Sequence, residues 1–151
     1  MQIRTMPKKP TEISESDYFI CENQGDLFQL AESMEFDEDD FIRKYMNSRF
    51  CNKEMDTPYS YFQMADPEDT MDYILKEIKP EHNSRHYDRN KIYWIGYMYR
   101  YLHIRFGINS SVIYQILPLK DMLVYYIGMH TQDDEYFVDI IKDKFKQGEY
   151  E

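Results

Sequence analysis

The sequence lacks every short motif that marks a common catalytic centre. It contains no glycine-rich phosphate loop, no Gly-x-Ser-x-Gly turn, no His-Glu-x-x-His helix and no Cys-x-x-Cys pair. These absences disfavour phosphoryl transfer, serine hydrolysis, zinc-dependent hydrolysis and dithiol redox chemistry. We therefore expect a protein that is not an enzyme and that needs no cofactor.

Glycine, proline and cysteine are also scarce. Five glycines and six prolines in 151 residues are too few for a turn-rich β architecture, so we expect an all-α fold. The two cysteines, Cys21 and Cys51, are typical of reduced and mostly buried thiols in a cytosolic protein.

The chain has no long hydrophobic run. Its longest apolar stretches, Ile92–Tyr99 and Met122–Met129, are far shorter than the roughly 20 residues that a membrane helix needs. The N-terminus is polar and has no apolar segment of the kind found in secretory signals. We expect a cytoplasmic protein that does not bind a membrane.

Basic residues are outnumbered, and the charge is unevenly distributed. The net charge of −10 disfavours direct binding to nucleic acid and favours a basic partner. Residues 1–11 carry +3 and are predicted to form a flexible basic tail; residues 12–78 carry −13, residues 79–105 carry +4 and residues 106–151 carry −4. An acidic body thus precedes a locally basic central segment.

One stretch, Asp88–Gly107, is predicted to be the centre of the fold. Asp88 is a suitable N-cap and Gly107 a suitable left-handed stop, which places a helix at about residues 88–106. Apolar side chains cover most of its circumference, so other helices should surround it. One stripe at helical spacing contains Ile92, Ile95, Tyr99, Leu102 and Phe106. The expected fold is a compact, multi-helix, all-α domain spanning residues 12–151.

The segment before this helix is predicted to contain several shorter helices. Two of them, 14–21 and 27–34, are separated by Gly25, and a third covers 37–47. The second and third have the outline of a helix-turn-helix, but acidic residues at the start of the third would repel phosphates, so we favour a packing role. A polar linker near residues 80–87 leaves open a division of the domain there.

Tyrosine is the unusual residue of this sequence, with 15 copies beside 9 phenylalanines. Tyrosine is enriched at protein interfaces because its ring is apolar and its hydroxyl seeks a partner. We expect partner contacts at the loop that follows Pro58 and at the rings of the central helix. These candidate contact residues are Tyr59, Tyr61, Phe62, Trp94, Tyr97 and Tyr101.

Two cationic side chains of the central helix, Arg100 and His103, are candidates for chemistry. With Tyr97 they are spaced by three residues and could bind phosphate or move protons. The alternative is that both pair with acids of the N-terminal half, and we also include them among the partner-contact candidates. His82 and His86 have a spacing that can chelate zinc on a helix, but they lie in a predicted loop, and we predict no metal site.

Three sequence segments resemble a family of bacterial antitoxin-like proteins. They are FIRKYMNSRFC (Phe41–Cys51), IYWIGYMYRYLHIRFGINSSVIYQILPL (Ile92–Leu119) and VYYIGMHTQDDEYFVDII (Val124–Ile141). The shared features are an aromatic helix, a Leu-Pro-Leu step and a His-x-x-Asp-like turn before a final Phe-Val-Asp helix. The resemblance carries over no active-site residues.

Members of this family are often encoded beside ADP-ribosyltransferase-like toxins, and some carry a phage-repressor-type helix-turn-helix after the shared domain. We expect a member without that module. The resemblance implies a cognate toxin, ADP-ribosyltransferase-like in type, as the partner.

Three functions are therefore weighed. The favoured one is an antitoxin that binds and neutralises a toxin. The alternatives are a small phosphate- or nucleotide-handling enzyme built on Arg100 and His103, and a DNA-associated regulator that uses the basic central segment or the N-terminal tail. The sequence leaves the oligomeric state open, including a homo-oligomer.

Overall fold

The all-α fold is confirmed by a computed structural model, which describes residues 12–146. The tail predicted for residues 1–11 lies outside the described residues. Within 12–146 no β-strand forms, and one isolated bridge joins Phe36 to His82. The α-helices of this range are α1 (Glu15–Ser33), α2 (Glu38–Met46), α3 (Pro67–Glu77), α4 (Arg89–Phe106), α5 (Ser110–Ile116), α6 (Leu119–Met129) and α7 (Asp134–Lys146).

The central helix is confirmed as α4, and its ends are those that the sequence predicts. The side chain of Asp88 accepts hydrogen bonds from the backbone N–H groups of Asn90 and Lys91, and Gly107 ends the helix in the left-handed conformation. Every residue of the predicted apolar stripe is buried. Because α4 packs along α1 and also contacts α5 and α6, it forms the middle of one hydrophobic core.

The prediction of two short N-terminal helices is wrong, because α1 is continuous through Gly25. A Cβ atom at Gly25 would lie 2.6 Å from ring carbons of Tyr93 on α4 and 2.9 Å from its carbonyl oxygen. The glycine therefore permits the close crossing of α1 and α4. Its backbone stays helical because the buried helix contact outweighs the weak helix propensity of glycine.

Two short non-α helices connect α2 to α3. Phe50–Met55 forms one turn of π-helix and Tyr61–Gln63 forms a 3₁₀ turn. The side chain of Glu77, at the end of α3, accepts the backbone N–H groups of Arg49 (2.6 Å) and Phe50 (2.8 Å). This carboxylate satisfies donors that the start of a helix leaves without partners, and it fixes the π-helix against α3.

The segment between α3 and α4 is attached to the turn between α1 and α2. Asp37 donates its backbone N–H to the carbonyl of Glu81 at 2.8 Å, and Asn83 donates to the carbonyl of Glu35 at 3.0 Å. Glu81 in turn donates to the side chain of Asp40 at 2.8 Å. These bonds hold the polar linker beside the N-terminal end of α2.

Both cysteines are buried and free, as predicted. Burial raises the pKa of Cys51 to about 11 and that of Cys21 further, so both stay thiols at neutral pH. Of the helices within residues 12–146, none is both long and apolar enough to cross a bilayer.

Candidate functional site

The aromatic loop that follows the π-helix carries the most exposed rings of the described chain. The side chain of Tyr59 is 99% exposed and that of Tyr61 is 69% exposed. Phe62, in the same loop, is half-buried against Phe50 and Tyr73. We call Tyr59, Tyr61, Phe62 and Tyr73 the aromatic surface.

Ring-to-ring contacts support this surface from below. The ring centroid of Phe62 lies 4.9 Å from that of Phe50 and 4.9 Å from that of Tyr73, both in edge-to-face arrangements. Tyr61 packs on Phe62 at 5.2 Å. Edge-to-face pairs of this kind contribute about 0.5–1.5 kcal/mol each beyond their buried area. The rings of Tyr61, Phe62 and Tyr73 are thus supported by ring contacts, whereas the ring of Tyr59 projects into solvent.

The backbone of the loop is also anchored by buried polar side chains. Gln63 donates to the carbonyl of Met55 at 2.8 Å. Asn23 of α1 donates to the carbonyls of Gln63 (3.1 Å) and Ala65 (2.9 Å). Because both side chains are buried, losing these bonds would leave unsatisfied polar groups in the core. These hydrogen bonds attach the backbone of the loop to the core.

Within residues 12–146, two non-glycine residues, Glu35 and Tyr59, have a positive φ angle, and Tyr59 is the bulkier of the two. Its φ angle is +68°, in the left-handed region that a bulky residue rarely adopts. This conformation has a strain cost on the order of 1–2 kcal/mol for a non-glycine residue. Because the side chain is almost fully exposed, it contributes no packing that would offset the strain. Residues with strained backbone conformations are enriched at active sites and ligand-binding segments.

The surroundings of the aromatic surface are acidic. Apart from Glu77, which accepts the N–H groups of Arg49 and Phe50, four exposed carboxylates lie at the loop end and on α3, where Lys76 is the single base. The ammonium of Lys76 sits 4.5 Å from the ring centroid of Tyr73, so this ring already holds a cation on its face. The carboxylates are Asp66, Glu68, Asp69 and Asp72.

Arg100 occupies a different environment from the one expected of a contact residue, because its side chain has 0% exposure. Its guanidinium donates to Oδ1 of Asp56 at 2.6 Å, to Oε1 of Gln24 at 2.8 Å and to the carbonyl of Met55 at 3.1 Å. Burial opposes its charge, but the field of Asp56 raises the pKa of Arg100 above its ordinary value. Arg100 is therefore a permanent cation that presents no surface to a substrate or a partner.

Asp56 connects this cation to the start of α5. Its Oδ2 accepts the backbone N–H of Ser110 at 2.8 Å, and its Oδ1 accepts the Ser110 hydroxyl at 2.7 Å. Burial alone would raise the pKa of Asp56, but Arg100, His103 and the two bonds from Ser110 lower it below its ordinary value. A carboxylate from the π-helix end thus caps α5, for which Asn109 makes no side-chain cap bond.

His103 lies at the edge of the same polar cluster. Its Nδ1 is 2.7 Å from the carbonyl oxygen of Ile108, and its Nε2 is 3.0 Å from the carbonyl oxygen of Asp56. Burial lowers the pKa of His103, and Arg100 adds to that effect while Asp56 opposes it. Both ring nitrogens face carbonyl oxygens of the chain itself, and one of these carbonyls belongs to Asp56, an acid of the N-terminal half.

The remaining candidates on α4 contact the C-terminal helices. Trp94 packs on Tyr126 of α6 and on Phe137 of α7, at ring-centroid distances of 5.7 and 5.2 Å. Tyr97 donates to Asp134 at 2.9 Å, and Tyr101 donates to Glu135 while its ring is buried. For Arg100 and Tyr101 this corrects the expectation of partner contacts, because a buried side chain has no surface to offer.

Three of the six basic residues of the central segment, the arginines of α4, are paired with acids. Arg89 contacts Glu32 at 2.6 Å and Arg105 contacts Glu135 at 2.8 Å, in addition to the buried pair of Arg100. The positive charge that residues 79–105 could offer to phosphates is therefore smaller than their net charge of +4 suggests. The helix that was compared with the second helix of a helix-turn-helix is α2. It packs in the core, because its apolar side chains are buried.

Sequence reasoning grouped Tyr59, Tyr61 and Phe62 as contact candidates of one aromatic loop but did not include Tyr73 and Phe50. A signal for Tyr73 was present, because it lies off the apolar stripe of α3. The polar partners of Arg100 were missed for a different reason: Gln24 and Asp56 are 76 and 44 residues away along the chain. No local pattern could connect them.

The protein is thus an all-α domain with an aromatic surface on one loop and a buried polar cluster around Arg100. Compared with known proteins, the chain matches no family model, no curated protein and no solved structure. Its resemblance to the antitoxin-like family therefore stays a prediction that rests on the three sequence segments given above.

Proposed function

We propose that this protein is an antitoxin that neutralises a toxin by binding it through the aromatic surface. The observation that carries the proposal is the presentation of Tyr59 and Tyr61, whose rings are exposed while their loop is anchored in the core. Exposed aromatic rings on a preorganised backbone are what high-affinity interfaces use as anchors, since little conformational entropy is lost on binding.

The two exposed tyrosines can contribute a substantial share of the binding energy of an interface. Burying one large aromatic side chain is favourable by about 1.5–3 kcal/mol. Two such rings, Tyr59 and Tyr61, together with the edge of Tyr73, can supply a central hot spot of an interface. The hydroxyl of each tyrosine can also donate to or accept from the partner, which adds specificity.

The charge of the surroundings supports a basic partner. An enzyme that handles NAD or nucleic acid commonly has a positively charged cleft for its anionic substrate. Acidic residues such as Asp69 and Asp72 would steer this chain onto such a cleft and place the tyrosines against its mouth. Together with the sequence resemblance, this favours an ADP-ribosyltransferase-like toxin as the partner.

The alternatives receive less support from the geometry. A phosphate or nucleotide cannot reach Arg100, whose donors are all turned to Asp56, Gln24, Met55 and Cys51 in the core. A DNA-associated role would require free basic residues, and the arginines of α4 face acids of the chain itself.

Co-expression of the chain with the product of the adjacent gene tests the proposal. The unaltered chain is expected to restore growth and to form a complex that survives gel filtration. A Tyr59→Ala/Tyr61→Ala double variant should bind at least about a hundredfold more weakly, because each anchor lost costs about 2 kcal/mol or more.

Tyr136 provides the matched control. It is a tyrosine of α7 that is 47% exposed and lies outside the aromatic surface. A Tyr136→Ala variant should protect cells as the unaltered chain does. If the double variant still neutralises the toxin fully, or if no complex forms with the unaltered chain, the proposal is wrong.

A further inference from the structure

Three potential metal ligands from different parts of the chain meet beside the turn between α1 and α2. They are Glu32 near the end of α1, Glu38 at the start of α2 and His86 in the segment before α4. One ligand atom from each lies within 4.8 Å of the others. The backbone bonds that join the segment of Glu81 to the α1–α2 turn bring these side chains together, so the cluster is part of the fold.

Glu38 is an unusual member of the cluster because its side chain is only 2% exposed. Burial raises the pKa of Glu38, and bonds from His86 and from backbone N–H groups oppose that rise. The side chain that meets its carboxylate is His86, whose Nδ1 lies 3.1 Å from Oε2. A buried carboxylate needs a positive partner to stay charged at neutral pH.

His86 alone does not satisfy this need. If its imidazole is neutral, Glu38 receives a hydrogen bond but no compensating charge. If it is protonated, Nε2 carries an N–H that is buried and has no hydrogen-bond partner in the described chain. In the neutral form that donates from Nδ1, Nε2 instead offers a free lone pair, which is the form in which histidine binds a metal ion.

We propose that Glu32, Glu38 and His86 form a binding site for a divalent transition metal ion of the zinc type. Carboxylate oxygen and imidazole nitrogen are both zinc ligands, and three protein ligands are the number found in zinc sites that keep a fourth position for water. The imidazole favours zinc and its transition-metal neighbours over magnesium and calcium, which prefer oxygen ligands.

The charges and the surroundings fit such an ion. Glu32 already pairs with Arg89, and the two positive charges of the ion would supply the compensation that Glu38 lacks when His86 is neutral. Arg89 donates to Oε1 of Glu32 at 2.6 Å and so orients this carboxylate, as second-layer donors do around bound metals. A half turn of the imidazole about its Cβ–Cγ bond moves Nε2 to the position now held by Cε1, which adjoins that of Nδ1. Nε2 then lies nearer to Glu38 and can serve as the ligand atom.

Binding of the ion would draw the three ligand atoms slightly closer together. Zinc ligands at about 2.0–2.2 Å from the ion lie roughly 3.3–3.6 Å from one another. The separations between ligand atoms, now at most 4.8 Å, would therefore shorten by up to about 1.2–1.5 Å when the ion enters. The consequence is a cross-link between the α1–α2 turn and the segment that leads into α4.

Titration of the chelator-treated protein with zinc chloride tests the site. Calorimetry should show one zinc ion per chain. The Tm should rise by about 5–10 °C at a free zinc concentration about a hundredfold above the Kd. His86→Ala should weaken binding by at least about a hundredfold. Glu38→Gln should do the same without lowering the Tm of the zinc-free protein, because it removes a buried charge and keeps the shape.

His82 supplies the control, since it belongs to the same segment but is exposed and packs on the ring of Phe36 at 5.0 Å. His82→Ala should bind zinc as the unaltered protein does. The proposal is overturned if the unaltered protein shows no one-to-one binding, or if His86→Ala and Glu38→Gln bind zinc as tightly as His82→Ala.

Discussion

The guanidinium of Arg100 and the carboxylate of Asp56 form a 2.6 Å ion pair in which both side chains are buried. The pair joins the middle of α4 to the end of the π-helix and, through Ser110, to the start of α5. Two charges at this depth are stable only together, because removal of either leaves the other without compensation.

Replacement of Asp56 by alanine is therefore expected to destabilise the protein strongly. The free energy of unfolding should fall by about 3–5 kcal/mol, since the charge of Arg100 is left buried and the first N–H of α5 loses its acceptor. Urea denaturation followed by circular dichroism measures the change. As a control, Asp139→Ala removes an exposed carboxylate paired with Lys142 and should change stability by less than about 0.5 kcal/mol.

The same carboxylate predicts part of the acid sensitivity of the fold. The pKa of Asp56 is lowered in the folded protein, whereas an unfolded aspartate has a pKa of about 3.9. A lowered pKa means that the stabilisation is fully present above about pH 3.9 and is lost as the pH falls through the folded value.

Asp56→Asn should remove this contribution. The difference in unfolding free energy between the unaltered protein and Asp56→Asn is expected to be constant above about pH 5 and to shrink below about pH 4. Denaturation curves recorded from pH 6 to pH 2.5 provide the measurement. A difference that does not change with pH would contradict the assignment of a charged Asp56.

The crossing of α1 and α4 should tolerate no added side chain. A Cβ atom at Gly96 would lie 2.8 Å from the carbonyl oxygen of Gln24 and 2.8 Å from Cγ of Phe28. Gly96→Ala is expected to lower the free energy of unfolding by about 1–3 kcal/mol, because the helices must separate.

Gly128 on α6 offers the matched substitution. Nothing lies within 4 Å of a Cβ atom placed there, and the residue is exposed. Gly128→Ala should therefore raise the free energy of unfolding by about 0.5–1 kcal/mol through helix propensity alone. Thermal and urea denaturation of both variants, measured side by side, test the opposite signs.

Tyr59 should show a conflict between stability and function. Its left-handed backbone is strained, and asparagine adopts this conformation more readily than tyrosine. Tyr59→Asn is expected to raise the Tm by about 1–3 °C and to weaken toxin binding. Calorimetric melting and a binding titration report the two effects. A lowered Tm would show that the Tyr59 ring contributes to folding.

The zinc site and the antitoxin function can be tested separately. The cluster of Glu32, Glu38 and His86 and the aromatic surface share no residue. A Glu38→Gln variant that no longer binds zinc but still binds the toxin would show that the ion is not needed for toxin binding. A Tyr59→Ala/Tyr61→Ala variant that no longer binds the toxin but still binds zinc would show that zinc binding does not depend on the aromatic surface.

Much of the local structure could be predicted from the sequence. The ends of α4 and the start of α3 depend on capping residues and proline within one helical turn, so the pattern that specifies them is local. The exposed loop of Tyr59 and Tyr61 was also predictable, because aromatic residues there follow no helical stripe. Gly25 misled the prediction, since its role depends on a second helix that local reasoning does not include.

The sequence by itself determined the all-α class, the central helix and the exposed aromatic loop, because periodicity, capping and composition act over a few residues. Only the tertiary structure decided which charges meet. Arg100 pairs with Asp56, and Glu38 pairs with His86. Helix crossings and backbone hydrogen bonds bring together these residues, which are 44 and 48 positions apart in the sequence. Side chains on one helix can point to several neighbours, and packing of the whole core selects among them.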